Sequence, residues 1–139
     1  MLIDELKNIA RNNGIVGAGG AGFPAYAKMT EKADTVILNC VECEPLLKLH
    51  RQLLATHTEE IIQMLDEVRE SFGAKEAVIG IKSEYVTTIK AIEEVIGDFP
   101  NVRICALKAA YPMGDEVVLI YEATGRVIKP AGSSSVMYC

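Results

Sequence analysis

The sequence has fewer basic than acidic residues and no long apolar run, and each shortage argues against a class of protein. Its 14 Lys and Arg residues stand against 19 Asp and Glu, a net charge of −5 at pH 7, whereas a nucleic-acid-binding surface needs concentrated positive charge. No apolar run reaches the ~18 residues that a membrane-spanning helix requires. The first residues lack a basic stretch before an apolar one, so we expect no signal peptide. These shortages favour a cytoplasmic protein, or the cytoplasmic part of a larger one.

The few cysteines and histidines give little support for a metal site. A disulfide framework is not expected in a cytoplasmic protein of this size. One Cys-x-x-Cys is present, without the further ligands that a zinc or iron–sulfur site needs, so we expect no metal; a redox-active dithiol stays open. Cys105 lies in an apolar run and is expected to be buried, whereas His50 and His57 are expected to be solvated. The cysteines are Cys40, Cys43, Cys105 and Cys139.

What the sequence does contain is a regular alternation of apolar patterns. Short β-branched runs predict buried strands, and apolar residues between them recur at helical spacing. This order predicts parallel strands joined by crossover helices, a three-layer α/β/α fold on a short parallel sheet. We expect residues 1–139 to form one α/β domain and to be a fragment of a longer chain, since "SSSVMYC" is not a polar tail. The predicted strands are 35–39, 76–82 and 101–107; the predicted helices are a first one ended by Gly14, one over 45–56 opened by Pro45, one capped by Thr56 or Thr58 and ended by Gly73, one over 83–97 capped by Ser83, and one over 115–124 ended by Gly125.

The segment "GAGGAGFP" places four glycines within six positions and invites three interpretations. Gly17, Gly19 and Gly22 satisfy G-x-G-x-x-G, but a true Rossmann fingerprint follows a strand and opens a helix, whereas here a helix precedes the loop and a proline follows it. A flexible surface connector is the second interpretation, although it leaves Phe23 unexplained. The third is a loop whose bare amides cradle an anionic cofactor, with Lys28 offering a point charge to a phosphate. We favour the third.

Two more polar motifs follow predicted strands, "NCVECEP" after the first strand and "YPMGDE" after the third. In open α/β sheets, ligands collect at the carboxyl ends of the strands. Glutamates in that place can accept hydrogen bonds from ribose or ribityl hydroxyls or flank a redox ring. Taken alone, each motif is also explained by solvated carboxylates or by a turn that caps a helix. The candidate residues are Asn39, Glu42 and Glu44 in the first motif, and Tyr111, Gly114, Asp115 and Glu116 in the second.

Together, these motifs resemble the flavin-bearing subunit family of NADH:quinone oxidoreductase (complex I), and within it the branch of the Rnf complex C subunit and cobalamin reductase. The family's glycine loop and spaced lysine are matched by "GAGGAGFPAYAK", and its N-x-x-E-x-E-P by residues 39–45. Its aromatic-x-x-Gly-acid-Glu is matched by residues 111–116, and a later Gly-Arg leading to Lys-Pro by residues 125–130. Ala18 stands where the complex I pattern has arginine, as in the Rnf-like branch. The resemblance runs through essentially the whole chain.

The resemblance implies an FMN-binding domain whose subunit takes electrons from NADH or a low-potential carrier and passes them towards iron–sulfur clusters. Those clusters are expected only in a missing C-terminal part. The implied partners are other subunits of an electron-transfer complex or a redox partner protein, on the cytoplasmic face of the membrane without insertion. Two alternatives stay open: a soluble reductase that serves cobalamin or an amino-acid reductase, and a truncated module with an empty cleft.

The same resemblance assigns roles to individual residues. It gives Glu42 and Glu116 a catalytic role beside the flavin. Phe23, Glu44 and Lys129 would contact NADH. The implied FMN-binding residues are Gly17, Gly19, Gly20, Gly22, Lys28, Asn39, Glu42, Tyr111, Gly114, Asp115 and Glu116.

Overall fold

The centre of the fold is a parallel sheet of four strands, seen here in a computed structural model. The structure describes residues 1–17, 21–29, 32–42, 46–108, 116–126 and 136–138. In chain order the strands are β1 (Thr35–Cys40), β2 (Glu76–Lys82), β3 (Val102–Leu107) and β4 (Val136–Tyr138), and their order across the sheet is β3-β2-β1-β4. The three predicted strands are therefore confirmed, and β4, which pairs with β1, was missed.

Two helices precede β1, and helices also lie between successive strands, as the predicted α/β alternation requires. They are α1 (Ile3–Asn12), α2 (Ala25–Lys28), α3 (Leu49–Thr56), α4 (Thr58–Phe72), α5 (Val86–Ile96) and α6 (Glu116–Thr124). Gly73 follows α4 with a φ of 68°, a left-handed conformation that glycine adopts without strain and that commonly ends a helix. The predicted role of this glycine is confirmed.

Alternating side chains of the strands face two different helical layers. On one face, Val36 of β1 and Ile79 of β2 pack with residues of α1, α3, α4 and α5 in a large buried cluster. On the other face, Ile37 and Val78 pack against α6 in a smaller cluster. Because successive residues of a strand point to opposite faces, the apolar runs of β1 and β2 serve both layers. The predicted three-layer α/β/α arrangement is confirmed.

The predicted helix starts are wrong in three places. The helix opened by Pro45 in the prediction begins only at Leu49, with no side-chain cap. Neither Thr56 nor Thr58 caps α4: their hydroxyls donate backwards, to the carbonyl of Gln52 at 2.9 Å and to that of Leu54 at 2.7 Å. Ser83 does not cap α5, which begins after Tyr85. For α3 and for Thr58, a tertiary or neighbouring-turn contact replaces the local cap that the sequence pattern favours.

Cys105 is partly exposed rather than buried as predicted. It lies on β3, which is at the edge of the sheet, so no other strand of the described residues pairs with that side of β3. Its thiol contacts the carbonyl of Glu122 in α6 at 3.8 Å. An apolar run on an edge strand does not guarantee burial for each of its members.

Candidate functional site

The carboxyl end of β1 carries the first group of predicted site residues. Asn39 is the next-to-last residue of β1 and is partly buried, and its side-chain oxygen accepts a hydrogen bond from the N–H of Val41 at 3.0 Å. Asparagine side chains commonly bond to backbone two residues on and so fix a turn. This contact directs the chain out of the sheet and brings Glu42 next to the strand end.

Glu42 is a buried carboxylate, with only 5% of its surface exposed. Its Oε1 accepts a hydrogen bond from the backbone N–H of His50, in the first turn of α3, at 2.9 Å. Its Oε2 is buried and has no hydrogen-bond partner among the residues that the structure describes. A buried polar atom without a partner is costly, because it has lost its hydration without compensation. The free oxygen is therefore suited to a donor group supplied by a ligand.

Cys40 lies two residues before Glu42 and is also buried. Burial, together with the nearby charge of Glu42, raises the pKa of its thiol to about 12. The thiol is thus protonated at neutral pH, and thiolate is the form that acts as nucleophile, redox partner or metal ligand. This disfavours a redox role for Cys40; Cys43 lies outside the described residues. Within the described ranges, no three His, Cys, Asp or Glu side chains are grouped to hold a metal ion.

The glycine loop is closed at its base by backbone hydrogen bonds. Val16 and Pro24 form an antiparallel bridge, and the N–H of Gly17 donates to the carbonyl of Phe23 at 3.0 Å. Gly22 has a φ of 68°, which suits glycine and strains other residues. The amide of Gly17 therefore shapes the loop in this structure. Gly19 and Gly20, the other predicted phosphate-binding glycines, lie outside the described residues.

Phe23 stands exposed at the end of this loop, with 52% of its surface accessible. The Nζ atom of Lys28, the last residue of α2, lies 5.8 Å from the centre of the Phe23 ring. An aromatic face beside an ammonium group suits a planar ligand that also carries negative charge. The roles predicted for them, Lys28 at the phosphate of FMN and Phe23 at NADH, stay predictions.

The third predicted group is only partly within the described structure. Glu116 is the first residue of α6. The opposite end of that helix lies near the start of β3, where Arg103 donates to the carbonyl of Ala123. The helix thus runs antiparallel to the strands, and its first residue lies at the carboxyl end of the sheet, as Asn39 does. Tyr111, Gly114 and Asp115, together with Glu44 and Lys129, lie outside the described residues.

A cavity of about 360 Å³ opens beside the carboxyl end of β1, between that strand and α3 and α4. Asn39 and His50 supply polar groups to an otherwise apolar wall. His50 is exposed, as predicted for a solvated residue, yet it lines the cavity and its backbone holds Glu42. No sequence signal marks this role, since the contact joins residues eight positions apart through a loop. The lining residues are Leu38, Asn39, Cys40, His50, Leu53, Leu54 and Ile61.

Among the described residues, no helix is long and apolar enough to cross a membrane. The α/β fold is shared with the solved structure of an NAD+-reducing [NiFe]-hydrogenase in the air-oxidized state. The two superpose with a TM-score of 0.78 at 22% identity, over 98% of this chain and 28% of that one. At this identity the likeness shows the fold alone.

Sequence comparison identifies the family. Residues 10–138 match the Nuo51 FMN-binding domain. Cobalamin reductase PduS of Citrobacter freundii is 39% identical over 126 residues, 91% of this chain and 28% of PduS. The C subunit of the Na(+)-translocating ferredoxin:NAD(+) oxidoreductase complex of Acetobacterium woodii is 34% identical over 134 residues, 94% of this chain and 30% of that protein. The chain spans less than a third of these relatives, and it belongs to the Nuo51 FMN-binding domain family.

Proposed function

We propose that this chain binds FMN at the carboxyl edge of its sheet, as the flavin-binding part of an electron-transfer oxidoreductase. In the proposal, electrons come from NADH or a low-potential carrier and leave towards iron–sulfur clusters of a larger assembly on the cytoplasmic face of a membrane. Family membership and the names of the relatives, a component of a ferredoxin:NAD(+) oxidoreductase among them, support this assignment. Residues 1–139 act in it as one FMN-binding unit.

The observation that carries the proposal is the unpartnered oxygen of Glu42. This Oε2 atom is buried at the strand end, where ligands of α/β sheets bind, and it requires a hydrogen-bond donor. FMN presents such donors on its ring edge and on its ribityl hydroxyls, so the residues present fit this cofactor. Glu42 would then hold α3 with one oxygen and the flavin with the other. Its negative charge at the flavin would bear on the ease of reduction, which is the catalytic role proposed for it.

The remaining residues of the proposed site divide the cofactor between them. Lys28 and the amides of the glycine loop would hold the phosphate, with the Gly17 amide reserved for loop closure. Asn39 would hold the ribityl chain from the strand end. Phe23 would stack on the dinucleotide. In addition, Gly19, Gly20, Gly22, Tyr111, Gly114, Asp115 and Glu116 would contact FMN, and Glu44 and Lys129 would contact NADH.

The chemistry itself belongs to the cofactor: a bound flavin accepts a hydride and releases electrons singly, and the protein orients it and sets its electrostatics. The side chains of this chain bind, orient and exclude water. Because Glu42 is buried, its charge would act more strongly on a bound flavin than a charge in water would.

A second candidate function is a soluble reductase that delivers electrons to cobalamin. The observation that favours it is the 39% identity with cobalamin reductase PduS over 91% of this chain. Both functions use the same flavin site and differ in the electron acceptor. Measuring whether the NADH-reduced protein reduces cob(III)alamin separates them: reduction favours the second function, and no reduction favours the first.

The test of the flavin site is a titration of the protein with FMN, followed by quenching of flavin fluorescence. A true site at FMN concentrations a hundred times its Kd stabilises the fold by about 2.7 kcal/mol, which raises the Tm by about 10 °C. No quenching and an unchanged Tm would refute the proposal in favour of a module with an empty cleft.

The role of Glu42 is tested by Glu42→Gln, with Glu94→Gln as the matched control on the exposed face of α5. The amide oxygen of glutamine still accepts the His50 N–H, so the fold is kept, but the negative charge at the flavin is lost. We expect anaerobic reduction of the flavin by NADH to slow more than FMN binding weakens. Equal losses in both would mean that the carboxylate is purely structural.

A further inference from the structure

Lys82 is the last residue of β2 and lies at the carboxyl end of the sheet, one strand away from Glu42. Its neighbour Ile81 pairs with Cys40, the last residue of β1, and Lys82 itself pairs with Leu107, the last residue of β3. The three strands therefore end at about the same level. Because β2 is the middle one of the three, Lys82 occupies the centre of the region in which FMN is proposed to bind.

A ligand that reaches both groups of predicted site residues crosses the end of β2. The first group, Asn39 and Glu42, lies at the end of β1, and the second reaches Glu116, where α6 begins after β3. Neighbouring strands lie about 4.8 Å apart, so the distance from β1 to β3 is about 10 Å. The three fused rings of a flavin can span this distance, and they would then lie above Lys82.

The ammonium group of Lys82 lies over that end of the sheet. Lys82 shares a face of β2 with Gly80, which packs against α6, whereas Tyr85 belongs to the buried cluster on the opposite face. The Nζ atom of Lys82 is nevertheless 5.8 Å from the centre of the Tyr85 ring. The side chain therefore reaches across the end of β2, towards the place where a ring system would lie.

The charged groups around Lys82 leave its ammonium group available to a ligand. Within the described residues it forms no ion pair, not even with the exposed Glu84 two positions on, and Arg51 adds a second positive charge 4.4 Å from the Tyr85 ring. It does not bond to Oε2 of Glu42 either, since that atom has no partner. Neighbouring strands thus present one free acceptor and one donor. The pyrimidine part of a flavin has the matching pattern, an N–H group between two carbonyl oxygens.

We propose that Lys82 is a further FMN-binding residue, which donates a hydrogen bond to a carbonyl oxygen of the pyrimidine ring while Glu42 accepts one from the adjacent N–H. This role rests on the proposed function, because it requires FMN at the carboxyl end of the sheet. A hydride from NADH brings two electrons and one proton, so a neutral ring becomes an anion. A positive charge in contact with the ring favours that anion. Lys82 therefore opposes the effect of Glu42 and raises the midpoint potential of the bound flavin.

The experiment measures the Kd of FMN by quenching of flavin fluorescence and the midpoint potential of the bound flavin by spectroelectrochemistry. Lys82→Met and Lys82→Gln remove the charge, whereas Lys82→Arg keeps it. We expect each neutral variant to lose about ten times more affinity for reduced than for oxidised FMN, which lowers the two-electron midpoint potential by about 30 mV. Lys82→Arg should stay close to the wild type. The matched control is Lys90→Met, at an exposed lysine of α5, which should change neither quantity.

The outcomes separate this inference from the proposed function. An unchanged potential in both neutral variants means equal losses of affinity for oxidised and reduced FMN, and it would overturn the role of Lys82 while leaving the flavin site in place. An equal fall in Lys90→Met, or a fall in Lys82→Arg as large as in Lys82→Met, would overturn it too, because the effect would not follow the charge at this position. If the wild type binds no FMN, the proposed function fails together with this inference. Circular dichroism of each variant confirms that the fold is kept.

Discussion

At Gly80 of β2, α6 packs closely on the sheet, and Gly80→Ala tests that packing. A Cβ atom at Gly80 would lie 2.7 Å from Cδ1 of Leu119 and 3.4 Å from its Cδ2. Leu119 has no exposed surface and is surrounded by Ile37, Val78 and Ile120, so it has little room to move away. The new methyl group therefore forces either an unfavourable rotamer of Leu119 or a shift of α6.

The expected cost follows from two opposing effects. Overpacking of a dense core costs about 1–3 kcal/mol, whereas replacing glycine by alanine restricts the unfolded chain and returns about 0.4–1 kcal/mol. We expect Gly80→Ala to lower the free energy of unfolding by about 1–2 kcal/mol, and the Tm by about 5 °C. Since α6 carries Glu116 at its first residue, a shift of this helix should also weaken FMN binding.

Thermal and urea unfolding, followed by circular dichroism, measure the effect. The control is Gly97→Ala, because a Cβ at Gly97 meets nothing within 4 Å and the backbone there is helical. In the double variant Gly80→Ala/Leu119→Ala, the space vacated by Leu119 accommodates the new methyl group. The loss of stability of the double variant should therefore be smaller than the sum of the losses of the two single variants. A Gly80→Ala protein as stable as the wild type would refute the close packing of α6 on β2.

Two further predictions concern titrating groups of the described structure. Burial raises the pKa of Cys40 to about 12 from 9.0. Between pH 9 and 12 the thiol therefore ionises in the unfolded chain but not in the folded one, so the free energy of unfolding should fall as the pH rises through this range. Urea unfolding at several pH values would measure this fall, which should be smaller in Cys40→Ala. A hydrogen bond from Arg103 lowers the pKa of Glu76 below 4.5. Its contribution is present above pH 4.5 and is lost as the pH falls through the folded-state pKa. Glu76→Gln should cost less than about 1 kcal/mol at pH 7, because the pair is partly exposed, and should flatten the acid limb of the stability profile; an unchanged limb would contradict the assignment.

The first three strands and the layer arrangement were predictable because the apolar patterns that indicate them lie within short stretches of the sequence. The run 76–82 holds five consecutive apolar residues or glycine between two charged ones, and β2 has those bounds. The short strand β4 was missed because Val136–Tyr138 offers only three residues of pattern. Its pairing with β1 depends on a residue about a hundred positions away, which no local window includes.

The sequence allowed candidate site residues to be proposed by type, but it did not reveal their contacts. The position of Glu42 after a buried strand pointed to a ligand, but its burial depends on α3, which folds over it. The same contact explains why α3 begins at Leu49 rather than at the proline favoured by the sequence: the carboxylate satisfies a helix N–H that a local cap would otherwise take. Likewise, the amide of Gly17 bonds within the loop, an outcome that depends on the bridge between Val16 and Pro24.

The place of β4 in the sheet has a consequence for how the protein is made. During synthesis on the ribosome, β1 emerges among the first 40 residues, but its neighbour on one side is complete only when Tyr138 has been added. Until then, the edge of β1 that pairs with β4 offers unpaired backbone N–H and C=O groups to any other nascent chain. A stop codon a few positions upstream of Val136 would make that exposure permanent, and the product would be prone to aggregate although α1 to α6 and β1 to β3 had been translated.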